Sequence, residues 1–219
     1  METNILLIVY QLLYKQYGPQ HWWPAETPFE MMVGAILTQS AAWQNVEKAI
    51  DNLKAVNALA PSTLRSLPDV EIAQLIRPSG YYNAKAKKLK SMVIWIHDSC
   101  RDDISRLSDW DNHKLRKELL AVHGIGPETA DSILLYAVGI PVFVIDAYTR
   151  RIFNRLGTNP NDDRYLDWQR LFMDNLPQDI YIFNEYHALL MRHAKENCRV
   201  KPVCIRCCLF DICEYRKAN

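Results

Sequence analysis

Glycine is scarce in this chain, seven in 219 residues, which excludes low-complexity character and argues against a sheet-rich architecture. No stretch approaches the roughly 20 apolar residues that cross a bilayer. The apolar run Ile5-Leu6-Leu7-Ile8-Val9 has no basic segment before it and no small-residue cleavage site after it, so it is not expected to be a signal peptide. Apolar residues at Ile5, Val9, Leu12 and Leu13 suit an amphipathic helix instead. Excess charge of either sign is also missing. The formal net charge is +1, so any affinity for a polyanion must come from how charge is distributed. There is no linker composition and no internal repeat. These absences predict a cytoplasmic protein whose thiols stay reduced, in which six cysteines serve as metal ligands rather than disulfides if their spacing agrees.

What remains is ordinary for a soluble globular chain, with 49% hydrophobic and 23% charged residues, and it is long enough for one large domain or two small lobes. Helical periodicity recurs almost throughout. Phe29, Met32, Val33, Ile36 and Leu37 form one stripe; Trp43, Val46, Ile50 and Leu53 form another, with a turn or exposed helix start over Thr38–Ala42 between them. Leu89, Val93 and Ile96 make a third, Leu115, Leu119 and Val122 a fourth, and Ala130, Ile133, Leu134, Ala137 and Val138 a fifth. Pro61, Pro68 and Pro78 punctuate short helices. Further helices are expected over Tyr148–Leu156, Tyr165–Leu176 and Ile180–Asn197. Ile140–Ile145 reads as buried extended chain without a partner strand. The expected fold class is all-α.

Three local features carry chemistry. His123-Gly124-Ile125-Gly126-Pro127 lies between two amphipathic stripes. Pro127 suits the first helical position, and Gly124 and Gly126 permit positive φ and close approach of the main chain. The next helix start would present free N–H groups to an anion such as a DNA phosphate; a plain helical hairpin with a glycine turn has the same pattern. The C-terminal stretch concentrates Arg192, Lys195, Arg199, Lys201, Arg206, Arg216 and Lys217 against three acidic residues, as either a binding surface or a solvated tail. Within it Cys198, Cys204, Cys207 and Cys213 are spaced C-x5-C-x2-C-x5-C, a soft four-thiolate set suited to an iron–sulfur cluster or to zinc. Cys208 offers a competing thiol beside Cys207, and Cys100 reads as buried and inert.

The segment Leu119-Leu120-Ala121-Val122-His123-Gly124-Ile125-Gly126-Pro127-Glu128-Thr129-Ala130 resembles the hairpin of the endonuclease III superfamily of DNA glycosylases. The resemblance implies two helical lobes flanking an active-site cleft. One spans 20–140 and carries the hairpin at about 114–138; the other joins 1–19 to 141–219. It implies a catalytic aspartate at Asp146, in Val144-Ile145-Asp146-Ala147-Tyr148. Eighteen positions earlier, where bifunctional members have a lysine nucleophile, this chain has Glu128, and a carboxylate cannot form the Schiff base that leads to strand cleavage. Leu37-Thr38-Gln39 resembles the helix start whose glutamine fills the gap left by a flipped base. Ser79-Gly80-Tyr81-Tyr82-Asn83-Ala84-Lys85-Ala86 resembles the loop whose apolar residue wedges into the duplex, here Tyr81. The same family implies a [4Fe–4S] cluster on Cys198, Cys204, Cys207 and Cys213, holding a basic loop with Arg199, Lys201 and Arg206 against the DNA backbone. The family's first gap is one residue longer than here.

His21-Trp22-Trp23-Pro24, with Gly34-Ala35 and Arg77-Pro78-Ser79-Gly80, is similar to the 3-methyladenine glycosylases of this superfamily. There, aromatic residues at the positions of Trp22, Trp23 and Trp43 line the base pocket; on composition alone the same tryptophans would serve as core. A cationic alkylated base stacked on indole gains about 0.5–2 kcal/mol. Relatives with Trp-Trp-Pro typically lack the cysteine cluster, so this chain combines two patterns. An adenine-mismatch enzyme would need a glutamate where Gly34 stands. The expected function is a monofunctional glycosylase acting, as a monomer, on double-stranded DNA containing an alkylated purine. The alternatives are an oxidised-pyrimidine glycosylase, a DNA-binding module without chemistry, and an electron-transfer protein.

Overall fold

The computed structural model describes residues 4–22 and 25–218, and every regular element among them is helical. Helices are numbered along the chain. Two compact units result, one of Pro24–Ile140 and one of Met1–Trp23 with Pro141–Asn219. Trp23 lies outside the described residues.

The contiguous unit is built around α2 (Pro28–Leu37). Thr27 starts it by accepting the Glu30 N–H at 3.1 Å, with Pro28 in the first turn. From Phe29 to Leu37 every residue is buried, including the Glu30 carboxylate, which Lys54 meets at 3.0 Å. A helix apolar on all sides must be surrounded. Around it pack α3 (Trp43–Ala55), α6 (Tyr82–Cys100), α8 (Pro127–Ser132) and the wider π-type turns Ile133–Val138 that continue α8. Met32, Val33, Ile36 and Leu37 are fully buried and each contributes about 1.5–3 kcal/mol of apolar burial. The short α4 (Pro61–Ser66) and α5 (Asp69–Leu75) cover α6. The hairpin pairs α7 (Asn112–Ala121) with α8, and Arg116 grips the fully buried Asp131 with two hydrogen bonds of 2.7 and 3.0 Å.

The second unit joins α1 (Ile5–Tyr17) to α9 (Ala147–Leu156), α10 (Tyr165–Met173), α11 (Ile180–Glu196) and α12 (Glu214–Ala218). Its core is aromatic. Phe143 and Phe172 stack at 4.2 Å, and Phe183 and Phe153 meet them edge-on at 5.4 and 4.9 Å. The face of α1 is rotated from the one the periodicity suggests. Leu6, Val9 and Leu13 are buried while Ile5 and Leu12 are half-buried, because the helix lies on α11, where the Tyr186 hydroxyl donates to the Leu6 carbonyl at 2.7 Å. The segment 140–145 is extended and buried from Val142 onward, without a partner strand. Side chains of α10 take over the pairing. Gln169 donates to the Phe143 carbonyl at 2.8 Å, and the Ile145 N–H reaches the Tyr165 hydroxyl at 3.3 Å.

Arg116→Met leaves the Asp131 carboxylate buried without its charge partner, a change that costs about 3–5 kcal/mol. Urea unfolding should show that loss, and the double variant with Asp131→Leu should recover most of it.

Candidate functional site

The hairpin turn is tighter at one glycine than at the other. Gly124 lies in the left-handed region at φ 85°, and a Cβ there would come within 2.2 Å of the Lys88 side chain. Gly126 does not use positive φ. At φ −91° and ψ 178° it is extended, and caps α8 with no protein atom within 4 Å of an added Cβ. Nothing among the described residues requires glycine at 126. Ile125 between them is buried and anchors the turn.

Gln39 lies in the turn after α2 rather than at a helix start, because the Thr38 N–H closes α2 on the Gly34 carbonyl and Ser40 turns left-handed at φ 53°. Its side chain joins the hairpin. The amide nitrogen donates to the Gly124 carbonyl at 3.1 Å and to the Thr129 hydroxyl at 3.0 Å, and its oxygen accepts from Lys88 at 2.5 Å. Tyr81 stands at the start of α6 in a left-handed conformation, φ 46° and ψ 30°, with 75% of its surface exposed. A non-glycine residue held there costs about 1–2 kcal/mol. Trp43, the first residue of α3, is half-buried, with its indole N–H on the Glu47 carboxylate at 2.6 Å. Trp22 is half-buried in the other unit, and Glu128 is exposed in the first turn of α8.

Asp146 is the N-cap of α9. Its Oδ1 accepts the Thr149 N–H at 2.7 Å, and its Oδ2 lies 3.5 Å from Nε2 of the buried His187 on α11. Burial alone would raise this carboxyl. The His187 imidazole and the Thr149 N–H outweigh it and bring Asp146 below the usual carboxylate range. The positive end of α9 acts in the same direction. The result is a buried carboxylate that stays ionised at neutral pH.

The same helix holds the cysteine loop. Arg151 donates to the Cys198 carbonyl at 2.9 Å, and Arg155 donates to the carbonyls of Arg199 at 2.6 Å and Val200 at 3.0 Å and to Cys198 Sγ at 3.2 Å. Within the loop, single 3-10 turns at Cys204–Arg206 and Phe210–Ile212 lead into Cys207 and Cys213, and among loop side chains Leu209 is buried. Cys198, Cys204, Cys207, Cys208 and Cys213 are free, half-buried thiols. Among the described residues, no three His, Cys, Asp or Glu side chains form a ready metal-ligand group. The donor chemistry nevertheless fits a thiolate-bound metal. Burial pushes Cys207 up to about 12, and the thiols of Cys208, Cys198 and Cys213 add to the rise, a repulsion that a bound cation relieves. Burial also raises the Cys208 thiol. Arg199, Lys201 and Arg206 are exposed around this loop.

Sequence reasoning marked Asp146, Gln39, Tyr81, the hairpin and the cysteines, and it missed Lys85, His187 and Arg155. A signal existed for two of them. Lys85 lies on the stripe of Leu89, Met92, Val93 and Ile96, and His187 on that of Phe183, Leu190 and Ala194; both are polar residues on buried faces.

Residues 33–178 match the HhH-GPD superfamily of base excision DNA repair proteins. A protein of Methanocaldococcus jannaschii assigned as a DNA repair glycosylase is 44% identical over 207 residues, covering 94% of each chain. Among solved structures, the 3-methyladenine DNA glycosylase MagIII of H. pylori bound to 1,N6-ethenoadenine superposes with a TM-score of 0.76. It is 26% identical, over 89% of this chain and 98% of its own. A trapped endonuclease III–DNA covalent intermediate superposes with a TM-score of 0.84 at 23% identity, over 100% of this chain and 99% of its own, which shows the fold.

Because the folded Asp146 carboxyl titrates below its unfolded value, its stabilising effect is complete above about pH 4 and is lost as pH falls through the folded value. The stability gap between the native protein and Asp146→Asn, measured by urea unfolding, should therefore be constant near neutrality and narrow below about pH 4.

Proposed function

The chain belongs to the HhH-GPD superfamily of base excision DNA repair proteins, and from that premise we propose that it is a monofunctional DNA glycosylase that hydrolyses the N-glycosidic bond of an alkylated purine such as 3-methyladenine in double-stranded DNA. The observation that carries this reading is the buried, ionised Asp146 at the start of α9, combined with a carboxylate, Glu128, at the family's lysine position. An oxocarbenium-like sugar develops positive charge as the base departs. A fixed carboxylate stabilises that charge and orients or deprotonates the attacking water, as in other glycoside hydrolyses. A cationic base leaves as a neutral molecule and needs no general acid.

The other residues take roles around that step. Gly124 and Gly126 let the hairpin main chain meet a phosphate, and Arg199, Lys201 and Arg206 add backbone contacts. Tyr81 wedges into the duplex and Gln39 fills the vacated position. Trp22, Trp23 and Trp43 stack on the extruded base. The likeness to a 3-methyladenine glycosylase bound to ethenoadenine supports the substrate class. Cys198, Cys204, Cys207 and Cys213 would hold a [4Fe–4S] cluster, which would brace the basic loop from within. The cysteine loop also supports a second reading, an oxidised-pyrimidine glycosylase of endonuclease III type.

Duplexes carrying one defined lesion each, incubated with and without alkali, test the reading. Release of 3-methyladenine with strand scission only after alkali is the expected result, and Asp146→Asn should slow release at least about a hundredfold while still binding an abasic-site duplex. Borohydride should trap no covalent complex; efficient trapping, or preferential release of oxidised pyrimidines, would replace this reading with the second one.

Anaerobically purified protein should be brown and contain iron, and Cys207→Ser should lose that iron where Cys208→Ser keeps it. Zinc in stoichiometric amount without iron would remove the cluster from the account.

A further inference from the structure

Lys85 is an ammonium group where a methionine would pack more cheaply. It lies on the apolar face of α6, is 2% exposed, and among the described residues has no carboxylate within ion-pair reach. Burying a cation in this way is costly, and burial together with Lys88 lowers Lys85 to about 8. What the ammonium touches is specific. Its Nζ donates to the carbonyl of Leu37 at 2.8 Å and to that of Ser79 at 2.7 Å. Leu37 is the last residue of α2, and Ser79 the last of the 3-10 turn Arg77–Ser79. Terminal carbonyls of helical segments lack intrahelical partners and attract cations.

Two residues beyond each of these carbonyls stands a side chain with a role in the reading above. Gln39 follows Leu37, and Tyr81 follows Ser79. One buried nitrogen therefore ties together the backbones that present them. One turn along α6, Lys88 holds the Gln39 side chain itself and lays its aliphatic stem under Gly124.

We propose that Lys85 is a positioning residue that sets the spacing of Gln39 and Tyr81, the two side chains that enter the duplex around the extruded base. The inference rests on the proposed DNA-glycosylase reading for what those side chains do. A wedge and a gap filler act on neighbouring base steps, so an error in their separation weakens extrusion without touching Asp146 or the phosphate contacts.

The test is Lys85→Met, which keeps length and apolar packing and removes the donors. Two readouts are used. The first is the fluorescence of 2-aminopurine placed beside a tetrahydrofuran abasic-site analogue, which reports unstacking on binding and needs no chemistry. The second is single-turnover release of 3-methyladenine from duplex and from single-stranded DNA. The variant is expected to melt as a folded protein and bind the analogue duplex nearly as the native protein does. It should lose most of the 2-aminopurine signal and release base from duplex about 10–100-fold more slowly, the loss typical of a small misplacement. Release from single-stranded DNA, where there is no stack to break, should change little. Unchanged unstacking and duplex release overturn the inference. So does a parallel fall in melting temperature, binding and release from both substrates, which marks a structural role alone. If Lys85→Met does not fold, Lys85→Leu, which also removes the donors, replaces it under the same criteria, and failure of both to fold also overturns it. A protein that unstacks 2-aminopurine through Lys85 yet releases no damaged base keeps the inference and refutes the chemical reading; one that does neither refutes both.

Discussion

Every helix leaves its first N–H groups and last carbonyls without internal partners, and in a chain made of short helices the way those groups are satisfied decides where the rest can sit. Here the partners are side chains with a second task. Asp146 caps α9 and is also the buried carboxylate. Lys85 caps α2 and the 3-10 turn at once. Gly126 opens α8 with no side-chain cap. Arg151 takes the Ala194 carbonyl near the end of α11 along with that of Cys198 just beyond it. In each unit the candidate residues are in this sense helix ends, and replacing one cap disturbs the local structure that it closes.

Charge follows the same economy of placement. The formal net charge is +1, and several cations point inward rather than to solvent. Arg116 is held by Asp131, Lys85 by two carbonyls, and Arg155 by the cysteine loop and the Tyr215 ring at 4.9 Å. Other cations stay exposed along the chain, among them Lys15, Lys48, Lys87, Lys117, Arg199, Lys201 and Arg206, so affinity for a polyanion depends on which of them face it.

The helices were legible because periodicity survives in the sequence; the stripes of α2, α3 and α6 appear where the buried residues lie. Asp146 was legible through its neighbours in the chain, and the cysteines through their spacing. What could not be read was pairing between distant positions. No local pattern says that Lys85 meets Leu37 and Ser79, 48 and 6 positions away, or that His187 meets Asp146. The conformations of the two hairpin glycines were not separable either, since glycine permits both and only the Lys88 stem beneath Gly124 distinguishes them. The rotation of α1 was hidden for a related reason. All of its first five residues, Ile5 to Val9, are apolar, and the choice of face belongs to α11.

The two units also differ in how a growing chain can complete them. Residues 24–140 are contiguous, and their core, centred on α2, is available as soon as the segment has left the ribosome. The other unit needs α1 to wait for α11, because the Leu6 carbonyl finds its donor in Tyr186, 180 positions later. Until then Leu6, Val9 and Leu13 have no partner face on α11, and loop closure over that separation is slow compared with local helix formation. An early-emerging apolar helix left uncovered during synthesis is a target for chaperones. The aromatic unit that carries Asp146 and the cysteine loop therefore closes only after the contiguous unit between its two parts has been made.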